Sequence, residues 1–273
     1  CLMMIMMIKT IRYYANKVFL KFQTYAFLPL LWRGTRSGII GLCCFFLFSS
    51  FTWRTYLSYD SPQEIVQANA TLFYVRASNS LYSYDTKDQS VRTFDKVNGL
   101  SDCNISHIAY NKTAHRLVVA YENQNIDLVN DAGQVTNVSA YYNTSTTDNK
   151  TINSLFAYNR YVFMATAFGI VKLNAAEAEV SDTYKLGFSV DYCYVRDGQL
   201  YAASKAVGIY SAPLTANLAD RSQWHRVGNY VEKSPEDTSA LWAKVANAHP
   251  GGPKSNHFGY LTFYKNKLYS CTG

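Results

Sequence analysis

Residues 98–130 decide the fold. They read Asn98-Gly99-Leu100-Ser101-Asp102-Cys103-Asn104-Ile105-Ser106-His107-Ile108-Ala109-Tyr110, then Asn111–His115, then Arg116-Leu117-Val118-Val119-Ala120-Tyr121-Glu122-Asn123-Gln124-Asn125-Ile126-Asp127-Leu128-Val129-Asn130. A turn at Asn98-Gly99 precedes three short apolar runs, Ile105–Tyr110, Leu117–Tyr121 and Asn125–Val129, separated by polar breaks. Short runs rich in Ile, Val and Tyr between Asn, Gly and Ser read as strands. The breaks are too short for a parallel return, so the strands form antiparallel hairpins. Leu117–Tyr121 is apolar on both faces of its pleat, which marks a strand covered on both sides.

The unit recurs. Similar runs begin at Leu72, Leu117, Val162, Leu200 and Leu268, a spacing of about 40–50 residues until the last. Four strands per such period is the signature of a propeller blade, whose sheet buries both faces only by stacking on its neighbours. A β-sandwich shares the strand spacing but not the repeat of the whole unit. The expected fold is therefore all-β, a propeller of four-stranded antiparallel blades, incomplete at about four and a half. Blade 1 runs from about Glu64 to Lys96, with its hairpin turn at Asn79-Ser80; blade 2 closes with Gln134–Ser139. Blade 3 is Ile152–Tyr184 and blade 4 is Ser189–Val227, with Gly169 and Gly208 at matching hairpins. Phe258–Tyr264 and Lys267–Cys271 open a fifth blade on which the sequence stops, as expected of a fragment of a longer protein.

The chain has 273 residues and a formal charge of +7. Residues 1–51 hold Lys9, Arg12, Lys17, Lys21, Arg33 and Arg36 and no acid, so the rest carries 20 basic against 19 acidic residues. The folded part is near neutral and offers no basic stripe for nucleic acid. Gly38–Phe51 is an uncharged apolar run after Arg33 and Arg36, with Ser50 and Thr52 before Trp53. That pattern reads as a secretory signal peptide with its core at 33–52 and cleavage between Thr52 and Trp53; the run is shorter than the ~20 residues a spanning helix needs. Residues 1–52 are thus a targeting segment, the upstream part a long leader or a misread frame, and 53–273 the propeller domain.

Trp53–Ser58 reads as an opening strand, and Ala140–Lys150 as a polar connector at a blade rim. At about 231–257 an insert breaks the period. Ser234-Pro235-Glu236-Asp237 reads as a helix start, Leu241, Val245 and Ala248 share one helical face, and Pro250-Gly251-Gly252-Pro253 ends it. The insert is either a partner contact or a lid on a blade edge.

No catalytic, cofactor or metal site is assigned. The five histidines, His107, His115, His225, His249 and His257, show no metal spacing and no carboxylate at a fixed offset. His107 is placed on an inner strand, in the core or lining the channel. Asp85–Asp88 lacks the further ligands of a calcium loop. Cys103 and Cys193 fall in blades that are not neighbours and are expected as buried, unbridged thiols. Six Asn-x-Ser/Thr sequons, at Asn69, Asn104, Asn111, Asn137, Asn143 and Asn149, are read as exposed turns.

The turn motif Asn98-Gly99-Leu100-Ser101-Asp102, with Ile105–Ile108 and a Leu-Val-Val-Ala strand, is similar to the two-component-regulator propeller repeat. An ordered set of segments resembles more closely the N-terminal propeller of the PorZ family, surface proteins of the type IX secretion system. These are residues 53–59, 79–85, 125–128, 150–153, 168–171, 183–187 and 217–220 with Trp224. The resemblance spans roughly residues 53–230. It implies a protein with two propellers and a C-terminal β-sandwich sorting signal, exported to the outer-membrane cell surface. It also implies partnership there with the PorU-type sortase and other attachment-complex proteins, and presentation of anionic lipopolysaccharide for cargo attachment, without enzymatic activity of its own. The alternative is the periplasmic polysaccharide-sensing propeller of a hybrid two-component histidine kinase; a secreted propeller enzyme or lectin is a third reading. No ligand residue is carried over.

Overall fold

The computed structural model describes residues 55–234, 237–265 and 267–272. The targeting segment and the suspected cleavage site at Thr52 and Trp53 lie outside the described residues.

Four sheets of four antiparallel strands each follow chain order. Blade 1 is β1 Pro62–Gln67, β2 Leu72–Ala77, β3 Ser80–Asp85 and β4 Ser90–Phe94. Blade 2 is β5 Ile105–Asn111, β6 Arg116–Tyr121, β7 Ile126–Asn130 and β8 Val135–Asn137. Blade 3 is β9 Ile152–Tyr158, β10 Tyr161–Thr166, β11 Gly169–Asn174 and β12 Glu179–Lys185. Blade 4 is β13 Tyr192–Arg196, β14 Gln199–Ser204, β15 Gly208–Pro213 and β16 His225–Gly228. The first strands touch in succession, β1 with β5, β5 with β9, β9 with β13, so the sheets fan about one hub. A two-stranded sheet, β17 Phe258–Tyr264 and β18 Lys267–Thr272, begins a fifth unit.

Side-chain alternation makes the stack. On β6, Leu117, Val119 and Tyr121 face blade 1, packing with Tyr74 and Leu81. Val118 and Ala120, one step out of phase, face blade 3 with Ile126 and Leu128, against Val162, Met164, Val171 and Leu173. Blade 3 turns Phe163, Ala165 and Ile170 the other way, onto Leu200, Ala202 and Ala212 of blade 4. Leu117–Tyr121 on β6 is apolar at every position because both of its faces are covered, and burying one such side chain contributes about 1.5–3 kcal/mol.

Gly169 and Gly208 stand where the fourth strand crosses the start of the third. Their φ angles are +152° and +96°. A Cβ on Gly169 would lie 2.0 Å from the Tyr184 carbonyl oxygen, and one on Gly208 2.5 Å from that of Gly228. The blade 1 hairpin turns at Ser78-Asn79, one residue earlier than expected, with both φ positive; that is the turn whose twist suits a two-residue hairpin.

Other expectations are corrected too. Thr55–Asp60 forms no strand. Ser58 is buried, its N–H donates to Asn256 Oδ1 at 2.6 Å and its hydroxyl pairs with that of Ser78, so side chains satisfy it in place of a ladder. The insert helix, α2 Ser239–Val245, starts later than Ser234. The Asp237 carboxylate accepts the Ser239 N–H at 3.1 Å, and this local turn competes with an earlier helical start. Asn111, read as an exposed turn, is fully buried and donates through Nδ2 to the Tyr161 carbonyl at 2.9 Å, tying blade 2 to blade 3.

The insert lies on blade 1. Its Leu241, Trp242, Val245 and Ala248 pack with Tyr59 over Ile65, Phe73, Val75 and Tyr82. Asn256 pins it, donating to the Ser78 carbonyl at 2.7 Å and to Ser80 Oγ at 3.3 Å. The lid reading is the one observed. Rim residues Ala140–Asn143 form a short helix, α1, rather than a plain connector; Lys150 Nζ donates to the carbonyls of Tyr141, Tyr142 and Thr144 at its end. No helix among the described residues is long and apolar enough to cross a membrane.

Candidate functional site

The turn motif is built around two carboxylates. Asp95 Oδ1 accepts the N–H groups of Val97 and Asn98 at 2.7 and 2.9 Å, which folds the turn after β4. Gly99 follows at φ +112°, and Leu100 drops into the apolar layer between blades 1 and 2. The Ser101 N–H then donates to Asp127 Oδ2 at 2.7 Å. Asp127 is fully buried and also accepts from the Tyr121 hydroxyl at 2.6 Å and Asn137 Nδ2 at 2.8 Å. Burial, then the neighbouring Asp127 charge, pushes the Tyr121 phenol far up, so it stays a donor. Asp102 holds the Cys103 N–H at 3.0 Å and faces Lys96 at 3.7 Å. The motif Asn98–Asp102 therefore joins one blade to the next through a satisfied buried acid.

A second polar centre bridges the inner strands. Glu64 on β1 takes His107 Nδ1 at 2.9 Å, Arg76 Nη2 at 3.2 Å and the Ile108 N–H at 2.8 Å. Burial alone would raise its carboxyl. The His107 hydrogen bond and charge, the Arg76 charge and the Ile108 N–H together hold it below the usual carboxylate range. An acid kept ionised with both oxygens engaged is a clamp between blades 1 and 2, not a proton donor. His107 thus has a carboxylate partner that sequence offsets do not reveal, because the two residues lie 43 positions apart.

The remaining reactive types are quiet. Cys193 is buried, its thiol is pushed up to about 12 by burial, and its Sγ sits 3.7 Å from the Phe163 carbonyl. Among the described residues, no three His, Cys, Asp or Glu side chains gather as a metal site.

What the fold offers outward is surface. The far face of blade 4 carries Tyr192, Tyr194 and Tyr201, out of phase with the buried Cys193, Leu200 and Ala202. Tyr194 stacks on Tyr201 at 4.6 Å, and Arg196 lies over Tyr201. On β17 and β18, Tyr260, Phe263, Tyr264 and Tyr269 are exposed.

The profile of the type IX secretion system PorZ N-terminal β-propeller domain matches residues 73–225, more than half of the chain. Among solved structures, the chain is 30% identical to PorZ of Porphyromonas gingivalis, described as an essential bacterial surface component of that system. The match has a TM-score of 0.59 and covers 64% of this chain and 24% of that one. The chain thus corresponds to about a quarter of the length of that relative. The extracellular domains of a putative one-component and a putative hybrid two-component system from B. thetaiotaomicron also match. They are 14% and 15% identical, with TM-scores of 0.49 and 0.47, and each match covers 82% of this chain and 27% of the other. No curated protein matches the chain.

Proposed function

The chain belongs to the family of PorZ N-terminal β-propeller domains of the type IX secretion system, and on that premise we propose that it is the propeller of a non-enzymatic, exported component of the attachment complex at the outer-membrane surface. In this reading the whole protein acts with a PorU-type sortase and helps present anionic lipopolysaccharide, to which cargo is attached. The observation that carries the reading is the family match over residues 73–225, most of blades 1–4, joined to 30% identity with a protein described as a surface component. The polar chemistry agrees with a scaffold. Glu64, Asp95 and Asp127 each bind donors within or between blades.

The test is co-purification. Tagged full-length protein, expressed in its own host, should recover the sortase from solubilised outer membranes. Recovery only in inner-membrane fractions containing a histidine kinase would overturn the proposal.

A further inference from the structure

One asparagine in the chain is followed by glycine, Asn98 before Gly99. Both residues are exposed, on the turn that carries the chain from β4 to β5. Asparagine is a thermolabile residue, because its side-chain amide and the next main-chain nitrogen can close a five-membered imide. A side chain on the following residue crowds that attack. Gly99 has none, and only Val135 Cγ2, at 3.7 Å, comes near the position a Cβ would take.

The turn leaves the attacking nitrogen open. Asp95 takes three of the four successive N–H groups from Val97 to Leu100. Its Oδ1 accepts those of Val97 and Asn98 at 2.7 and 2.9 Å, and its carbonyl accepts those of Asn98 and Leu100, both at 3.0 Å. The Gly99 N–H has no acceptor among the described residues. On the other side of the reaction, Asn98 Nδ2 donates to Asp95 Oδ2 at 3.2 Å and to the Thr93 carbonyl at 3.5 Å. Both bonds are long, and at an exposed residue water replaces them at small cost.

We propose that Asn98-Gly99 is a self-modification site whose reaction loosens the junction of blades 1 and 2. The Gly99 nitrogen attacks Asn98 Cγ. The new Cγ–N bond forms, the Cγ–Nδ2 bond breaks, and Nδ2 leaves as ammonia with the proton that Gly99 gives up. One water then opens the imide, at Cγ to give aspartate or at the main-chain carbonyl of residue 98 to give isoaspartate. Aspartate puts a carboxylate where a donor faced Asp95 Oδ2, and two carboxylates sharing a site repel. Isoaspartate lengthens the main chain by one carbon just before Gly99. That shifts Leu100 from the apolar layer between the blades and the Ser101 N–H from Asp127 Oδ2. The chemistry needs only water and stands apart from the function proposed above.

The full-length protein is aged at mildly alkaline pH in heavy-oxygen water, then digested for mass spectrometry. Uptake of the heavy oxygen marks conversion, and electron-transfer fragmentation separates isoaspartate from aspartate. Asn98 should convert roughly tenfold or more faster than Asn69 and Asn149, exposed asparagines followed by Ala70 and Lys150. Asn98→Gln, which cannot close the five-membered ring, should take up no label at that position over the same period. Asn98→Asp should melt ~2–4 °C below fresh wild type, and the aged protein should move toward it in proportion to its conversion. Three results would overturn the proposal: Asn98 converts no faster than Asn69 and Asn149, it converts only once urea unfolds the chain, or Asn98→Asp and the aged protein both melt with fresh wild type.

Discussion

Replacing Glu64 by alanine removes the acceptor shared by Arg76, His107 and the Ile108 N–H, at 3.2, 2.9 and 2.8 Å. Breaking a buried ion pair by deleting one partner costs about 3–5 kcal/mol, and hydrogen bonds to charged groups contribute ~1.5–3 kcal/mol each. The side chains of Glu64, Arg76 and His107 are 28%, 12% and 27% exposed, so water partly replaces the lost acceptor. The lower end applies, about 2–3 kcal/mol for Glu64→Ala. A domain of this size loses about 2–4 °C per kcal/mol, so Tm should fall by ~4–12 °C at pH 7, read by circular dichroism. The pH dependence fixes the mechanism. The folded carboxyl lies below its ordinary 4.5, so its contribution is full above that value and is lost as pH falls through the lower folded value. The stability gap between wild type and Glu64→Gln should therefore shrink in acid, as pH falls through the lower folded value. A Glu64→Ala melt within about 1 °C of wild type, or a gap that widens in acid, would refute the clamp.

Other perturbations follow from the same geometry. Asp127→Ala leaves the Ser101 N–H and Tyr121 hydroxyl unpaired in the core and should cost about 3 kcal/mol or more in urea unfolding, with Tyr121→Phe costing less. Gly169→Ala drives a Cβ into the Tyr184 carbonyl and should destabilise by more than Gly198→Ala, where space is open and only positive φ is strained, at ~1–2 kcal/mol. Asn256→Ala should raise acrylamide quenching of Trp242 and speed amide exchange across the insert, leaving blades 2–4 unchanged. Cys193 should resist iodoacetamide in the native state and react once urea unfolds blade 4, because its thiol is buried and raised to about 12.

The blades were legible because each depends on local pattern. Leu117–Tyr121 is apolar at every position, and that alone places a sheet on either side of it. The matched glycines, Gly169 and Gly208, sit where strands cross, so their spacing survives in the sequence. What was not legible joins one blade to another. Glu64 and His107 meet across 43 residues, and the insert reaches back 178 residues from Asn256 to Ser78. Such pairs have no fixed offset, so no periodicity reports them. Asn111 shows the same limit: its sequon suggests exposure, while a cross-blade hydrogen bond to Tyr161 buries it. The insert's helical face was readable from Leu241, Val245 and Ala248, but which surface it would cover depended on the arrangement of blade 1.

The most direct test places the protein in the cell. An epitope inserted at Ser145, in the exposed rim loop after α1, should leave the blades intact in the full-length protein. A surface component predicts antibody labelling of intact cells at the level seen after outer-membrane permeabilisation. Labelling only after permeabilisation would place the propeller in the periplasm and contradict the account.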